Sequence, residues 1–233
     1  MNESNFWNDK YSQIEYFMKM DNFNNFLNWP PIIQCMFINY DTFTKYWIKD
    51  IVEPRWKKLL DIESNKGSPS RSQHYNCSDN QIAQVYHLMN LVQKTNCDIS
   101  KISNIVEIGA GYGLLAKNIY NDGFNGKYHI FDKPVMQVLQ KFYLENLPIN
   151  FIDIDFLSQK LDNCLLIANW SLSEMTIDLR EKIITSPLFK SCSHYLICFQ
   201  KSFENNDNVT YFSKYFSKIE NIPYLPENYR III

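Results

Sequence analysis

Half of the glycine in this chain falls within five residues. Only six glycines occur among 233 residues, Gly67, Gly109, Gly111, Gly113, Gly123 and Gly126, and three of them alternate between positions 109 and 113. A short apolar run, Ile105 to Ile108, leads directly into them. Glycine has no Cβ, so it supplies left-handed backbone and lets a ligand approach the main chain. One glycine serves an ordinary strand-to-helix turn; three alternating ones point to a ligand loop.

The rest of the chain fits that unit. After Asn104, short apolar runs alternate with helical patterns: strands at Ile105 to Ile108, Tyr128 to Phe131, Phe151 to Ile154, Leu165 to Ala168 and Tyr195 to Phe199, and helices at Leu114 to Tyr120, Pro134 to Leu144 and Glu174 to Ile184. Such alternation predicts an α/β fold with a mostly parallel, doubly wound sheet covered on both faces. Tyr229 to Ile233 reads as a last strand, and Asn208 to Phe216 as helix or strand. The first 60 or so residues look helical and aromatic, with four of the five tryptophans. Trp29-Pro30-Pro31 ends one helix and permits the start of another, because proline fits a first helical turn. Ser78 to Gln81 reads as a capping box opening a further helix. The polar stretch Glu63 to Ser72 suggests a boundary, giving a helical cap over 1–72 and a Rossmann-like domain over 73–233.

Composition excludes several classes. Basic and acidic residues number 23 and 25, so there is no basic excess of the kind a nucleic-acid binder shows. No apolar run reaches the ~20 residues that span a bilayer, and the polar start MNESNFWNDK is unlike a signal peptide. The six cysteines form no CxxC pair and no Cys/His zinc spacing; several sit in apolar runs, as small buried hydrophobes in a reducing, cytoplasmic compartment.

The loop itself reads Glu107-Ile108-Gly109-Ala110-Gly111-Tyr112-Gly113. A dinucleotide fingerprint would put its third glycine at position 114, which is Leu. The acid Glu107, two residues before the first glycine, would repel a pyrophosphate and attract an ammonium or a sulfonium. S-adenosylmethionine carries both cations and no phosphate, so the electrostatics favour it over NAD, although Glu107 could simply orient the loop. Asp132 ends the second strand, where a carboxylate accepts from both ribose hydroxyls, with Lys133 beside it. The same Asp could cap the helix at Pro134. Asp155, or its neighbour Asp153, would accept from an adenine amino group with Phe156 covering the ring, and Asn169-Trp170 ends the fourth strand at the edge where ligands gather.

These residues resemble the class I S-adenosylmethionine-dependent methyltransferases, and within them the sugar O-methyltransferase family. VEIGAGYGLLAKNIY carries the general likeness; FDKPVMQVLQKFYL and ANWSLSEM, with the ending IPYLPENYRIII, carry the likeness to the sugar family over roughly positions 80 to 233. The resemblance implies a seven-stranded Rossmann-like sheet ending in an antiparallel hairpin, S-adenosylmethionine as cofactor, and a sugar or sugar-containing acceptor.

A sugar hydroxyl is a weak nucleophile at pH 7, so a positioned base is expected. Glu174, just past the fourth strand, is one candidate, although the first turn of a helix also favours an acid. His74, in the connector between cap and sheet domain, is the other; a lone loop histidine is otherwise simply exposed. His87, His129 and His194 read as structural. A metal route would want convergent carboxylates or histidines, and Asn169 stands where metal-dependent relatives have an acid, so no metal is expected. Most of Phe6, Trp7, Phe17, Phe23, Phe26 and Trp29 are expected to be packing, with a minority lining an acceptor pocket or a homo-oligomer contact. The rival readings are a methyltransferase for a non-sugar small molecule, a catalytically silent scaffold of the same fold and, more distantly, an NAD-linked oxidoreductase.

Overall fold

The computed structural model describes residues 4–36 and 41–233. Helices α1 (Asn5–Met20), α2 (Pro30–Met36), α3 (Asp41–Asp50), α4 (Pro54–Asp61) and α5 (Asp79–Thr95) precede the sheet. Ser4 caps α1 by accepting from the amide of Trp7, and α2 opens on the Pro30-Pro31 pair. Ser78 caps α5 through the amide of Gln81 at 3.0 Å. The reciprocal half of the expected capping box is absent: the Gln81 amide turns inward to Leu59 and Asn118, and Glu63 accepts from the backbone amide of Ser78 instead.

From there strands and helices alternate: β1 (Asn104–Ile108), α6 (Leu114–Asn121), β2 (Lys127–Phe131), α7 (Pro134–Tyr143), β3 (Ile149–Ile152), β4 (Cys164–Asn169), α8 (Ser171–Glu174), α9 (Ile177–Ile184), α10 (Pro187–Ser191) and β5 (His194–Gln200). A small ribbon, β6 (Ser202–Phe203) with β7 (Asn206–Asp207), leads into α11 (Asn208–Phe212), and β8 (Glu220–Asn221) and β9 (Asn228–Ile232) close the chain. The seven-stranded sheet runs β3-β2-β1-β4-β5-β9-β8. The first five strands are parallel; β9 lies antiparallel to β5, and β8 to β9. This is a Rossmann-like, doubly wound sheet with the antiparallel terminal hairpin, preceded by an N-terminal set of helices.

The core has two halves because strand side chains alternate in direction. Ile105, Leu165 and Leu196 face one side, together with Ile14, Trp29, Trp47 and Trp56 of the N-terminal helices. Val106, Leu166 and Ile197 face the other, against α9, α10 and α11. The helices of the first 72 residues therefore share one continuous core with one face of the sheet.

Two elements differ from expectation. The helix expected over Glu174 to Ile184 is broken, since Met175 and Thr176 adopt extended backbone (ψ 157° and 151°) between α8 and α9. The third strand ends at Ile152, and Ile154–Ser158 forms a short 3-10 turn capped by Asp153. The segment left open at Asn208 begins with helix α11. All six cysteines are free thiols, five of them buried and Cys35 partly so. No helix among the described residues is long and apolar enough to cross a membrane.

Candidate functional site

The chain leaves β1 toward β2 and β3 on one side and resumes at β4 on the other, so the sheet reverses direction between β1 and β4. A crevice opens at the carboxyl ends of strands at such a point. A cavity of about 310 Å3 lies there. Its sheet side carries Glu107, Gly109, Ala110, Gly111, Asp132, Lys133, Asn169, Trp170, Glu174 and Gln200. Its roof comes from the cap: Phe6, Trp7 and Tyr11 of α1, and Gln34, Cys35 and Met36 of α2.

All three glycines of the loop have positive φ, +69° at 109, +57° at 111 and +99° at 113. Their surroundings differ. A Cβ on Gly109 would lie 2.3 Å from Ser171 Cβ, so this glycine lets β1 and the start of α8 meet. Among the described residues, a Cβ on Gly111 would meet only Met36 Sδ, at 3.6 Å. Both substitutions to Ala carry a left-handed backbone penalty of about 1–2 kcal/mol, but only Gly109→Ala adds an overlap. Thermal denaturation is expected to show a clearly larger loss for Gly109→Ala; equal losses would mean that Ser171 yields freely.

The carboxyl groups are the chemical content of the cavity. Asp132 ties the loop together: its Oδ2 accepts from the amide of Ala110 at 3.0 Å and from Gln140 Nε2 at 2.7 Å, and its Oδ1 from the amide of Lys133 at 2.8 Å. Gln140 also donates to the carbonyl of Gly111 at 2.8 Å, so α7 braces both loop and acid. Burial pushes Asp132 up to about 6 despite these donors, and Oδ1 retains a lone pair for a hydroxyl. Glu107 accepts from the phenol of Tyr128 at 2.7 Å, and burial pushes it up to about 7. Glu174 accepts from the indole Nε1 of Trp7 at 2.9 Å and from Gln200 Nε2 at 3.1 Å; burial raises it to about 7, the two donors opposing.

Trp170 precedes Glu174 in left-handed backbone, φ +64°, which costs a non-glycine residue energy and is found where a site demands it. Its amide donates to the carbonyl of Cys198 and its indole to Asn228 Oδ1, which hold the turn against β5 and β9. Asn169 donates to Gln84 at 3.3 Å, and its Oδ1 is buried without a hydrogen-bond partner among the described residues.

Of the thirteen residues singled out in the sequence, Glu107, Gly109, Ala110, Gly111, Asp132, Lys133, Asn169, Trp170 and Glu174 line the cavity and four do not. Gly113 caps α6 and abuts Leu144. Asp155 is exposed in the 3-10 turn, and Phe156 packs on the His129 ring at 5.0 Å, because β3 stops early and turns away. His74 is exposed: the connector is pinned beside α5, with Arg71 on Glu63 and Ser72 Oγ on Asp79, instead of crossing the cleft. Gln200 was missed; the rule that ligands gather at strand ends, applied to β4, extends to β5 as well. Trp7, Tyr11 and Gln84 carry no local signal, since the fold alone brings them there.

No protein-family model matches the chain, and no curated protein sequence matches it. Among solved structures, a Thermoplasma acidophilum protein is similar at 16% identity over 76% of this chain and 91% of its own, with a TM-score of 0.47. An S-adenosylmethionine-dependent methyltransferase from Mesorhizobium loti is similar at 16% identity over 46% of this chain and 50% of its own, TM-score 0.36. The glycopeptide N-methyltransferase MtfA, in complex with sinefungin, is similar at 14% identity over 47% of each chain, TM-score 0.37. At such values the fold description rests on the strand order itself.

Proposed function

We propose that this chain is an S-adenosylmethionine-dependent O-methyltransferase whose acceptor is a sugar hydroxyl. The observation that carries the reading is the placement of one carboxyl, Glu174, held by Trp7 and Gln200 in the same cavity as the glycine turn and Asp132.

The residues present fit the donor. Gly111 leaves the backbone open toward the cavity, Asp132 keeps an acceptor lone pair where a ribose hydroxyl is recognised, and Glu107 offers an acid to a cation. The buried, unpartnered Oδ1 of Asn169 awaits a donor such as an ammonium. When bound, S-adenosylmethionine supplies an already activated methyl group on a sulfonium. The protein must then orient the acceptor and take a proton. Glu174 does the second, since a carboxyl near pH 7 is ionised often enough to accept and basic enough to be useful. Phe6, Trp7, Tyr11 and Phe203 line the cavity beside Gln34 and Gln200, and aromatic rings of this kind are suited to contact with sugar rings.

Titration calorimetry with S-adenosylhomocysteine is expected to show saturable binding, and NAD none. Heat with NAD alone would reverse the choice of cofactor. Binding of S-adenosylhomocysteine without methyl transfer to any sugar in a labelled-donor screen would remove the sugar acceptor.

A further inference from the structure

Behind the turn that carries Glu174 lies a guanidinium with no access to solvent. Arg180, on α9, is wholly buried, and among the described residues it pairs with no carboxylate. A buried charge without a counter-ion is costly unless hydrogen bonds occupy it; here they occupy Nη1 and Nη2, while Nε has no hydrogen-bond partner among the described residues. Nη2 donates to the carbonyls of Ser173 at 2.7 Å and Met175 at 3.1 Å, the residues on either side of Glu174. Nη1 donates to Asn208 Oδ1 at 2.9 Å. Asn208 Nδ2 donates to the carbonyl of Gln200 at 2.9 Å, and Gln200 is the residue whose amide reaches Glu174. Ser173 Oγ lies 2.5 Å from the carbonyl of Trp170 and 2.8 Å from Gln200 Oε1, with one proton to share between the two acceptors. The guanidinium lies 4.5 Å from the Tyr211 ring centre and 5.6 Å from that of Phe212, which fixes it from behind.

The geometry points to Arg180 as the positioning residue for Glu174. One buried cation fixes the backbone on both sides of the acid and, through Asn208, the strand-end glutamine that holds its carboxyl. The kinetic consequence rests on the reading of Glu174 as the proton acceptor. A residue that merely filled space between α9 and α11 would move stability on removal and leave the ionisation of Glu174 where it was. The other titratable groups around Glu174 are the Tyr11 phenol and the Cys35 thiol from the cap, both pushed up by burial and uncharged near neutrality. Asp132 acts on Tyr11 from the sheet side, and Lys10 and Asp9 act on Cys35.

Trp7 reports the charge of Glu174 through a direct hydrogen bond. In isotope-labelled full-length protein, the Trp7 indole N–H resonance, assigned with Trp7→Phe, is expected to titrate in one step near neutrality. Glu174→Gln should abolish that step. Arg180→Met and Asn208→Leu are each expected to move it upward by about half a pH unit or more, because each loosens a group that favours the ionised acid. Both should keep S-adenosylhomocysteine affinity within roughly threefold of wild type, the donor site being untouched. If Arg180→Met does not fold, Asn208→Leu carries the test. An unmoved midpoint in a folded variant overturns the positioning role, as does a wild type without a Glu174-dependent step. A wild type that does not bind S-adenosylhomocysteine sinks the methyltransferase reading separately and leaves the Trp7 titration interpretable.

Discussion

Glu174→Gln is expected to slow methyl transfer about 10²–10⁴-fold, the usual contribution of a positioned proton acceptor, with donor affinity nearly unchanged. Gln is isosteric and keeps one carbonyl oxygen, so it holds one of the two donors, Trp7 or Gln200, while its NH2 replaces the other acceptor and the basic group is lost. The pH dependence follows from the same carboxyl. It accepts a proton only when ionised, so wild-type kcat should climb with pH around a midpoint of about 7. Trp7→Phe removes a donor that favours the ionised form, so its midpoint should move higher. Both profiles are measured with a sugar acceptor found by labelled-donor screening. A Gln variant turning over at the wild-type rate would show that Glu174 takes no proton.

The ligand-free protein should also be more stable at pH 5 than at pH 8, against the usual trend for a chain of this charge. Glu107 and Glu174 are raised by burial from 4.5 to about 7, and Asp132 from 3.8 to about 6. An acid whose folded-state pKa lies above its unfolded value stabilises the fold fully below the unfolded value. That contribution is lost as pH rises through the folded value. Between pH 5 and pH 8 each glutamate loses on the order of 3 kcal/mol and Asp132 about 1 kcal/mol. His87 and His129 act in the other direction: burial lowers both, His87 from 6.5 to about 3, so at pH 5 the unfolded chain gains protons that the fold refuses. The His87 share is ~2 kcal/mol, and the three acids together outweigh it. The net should appear as a Tm higher at pH 5 by on the order of 10 °C for a protein of this size. Circular dichroism melts in matched ionic strength would show it. A Tm that rises from pH 5 to pH 8, or a Glu107→Gln, Glu174→Gln double variant with an unchanged slope, would count against it.

How much of this is legible in the residues depends on how local the cause is. The strands β1, β2, β4 and β5 are short β-rich runs bounded by polar residues, and their alternation with helices dictates a parallel sheet without any tertiary information. The glycine turn announces itself by composition. Asp132 was singled out for a ribose; the structure adds that its carboxylate also staples Ala110 and Lys133 and is braced by Gln140, because a carboxylate offers more lone pairs than one ligand uses. The break between α8 and α9 was not visible, since Glu174 to Ile184 has helical spacing throughout. What interrupts it is Arg180 reaching back to the carbonyls of Ser173 and Met175, a tertiary demand. His74, Asp155 and Phe156 were assigned by proximity in the chain to the cleft or to a strand end. Two of these assignments depended on where β3 stops, and strand ends are the least determined part of any strand.

The bond from Trp7 to Glu174 joins positions 167 apart in the chain, and Gln200 approaches from the opposite flank. Contacts of such separation close late, since the intervening loop entropy must be overcome first. A nascent chain can pair β1 with β2 and set the Ala110–Asp132 staple while Glu174 is still being synthesised. Glu174 owes its burial and both of its donors to elements at the two ends of the chain, α1 and β5, so on the proposed reading its basicity is a property of the completed fold and not of the segment that carries it.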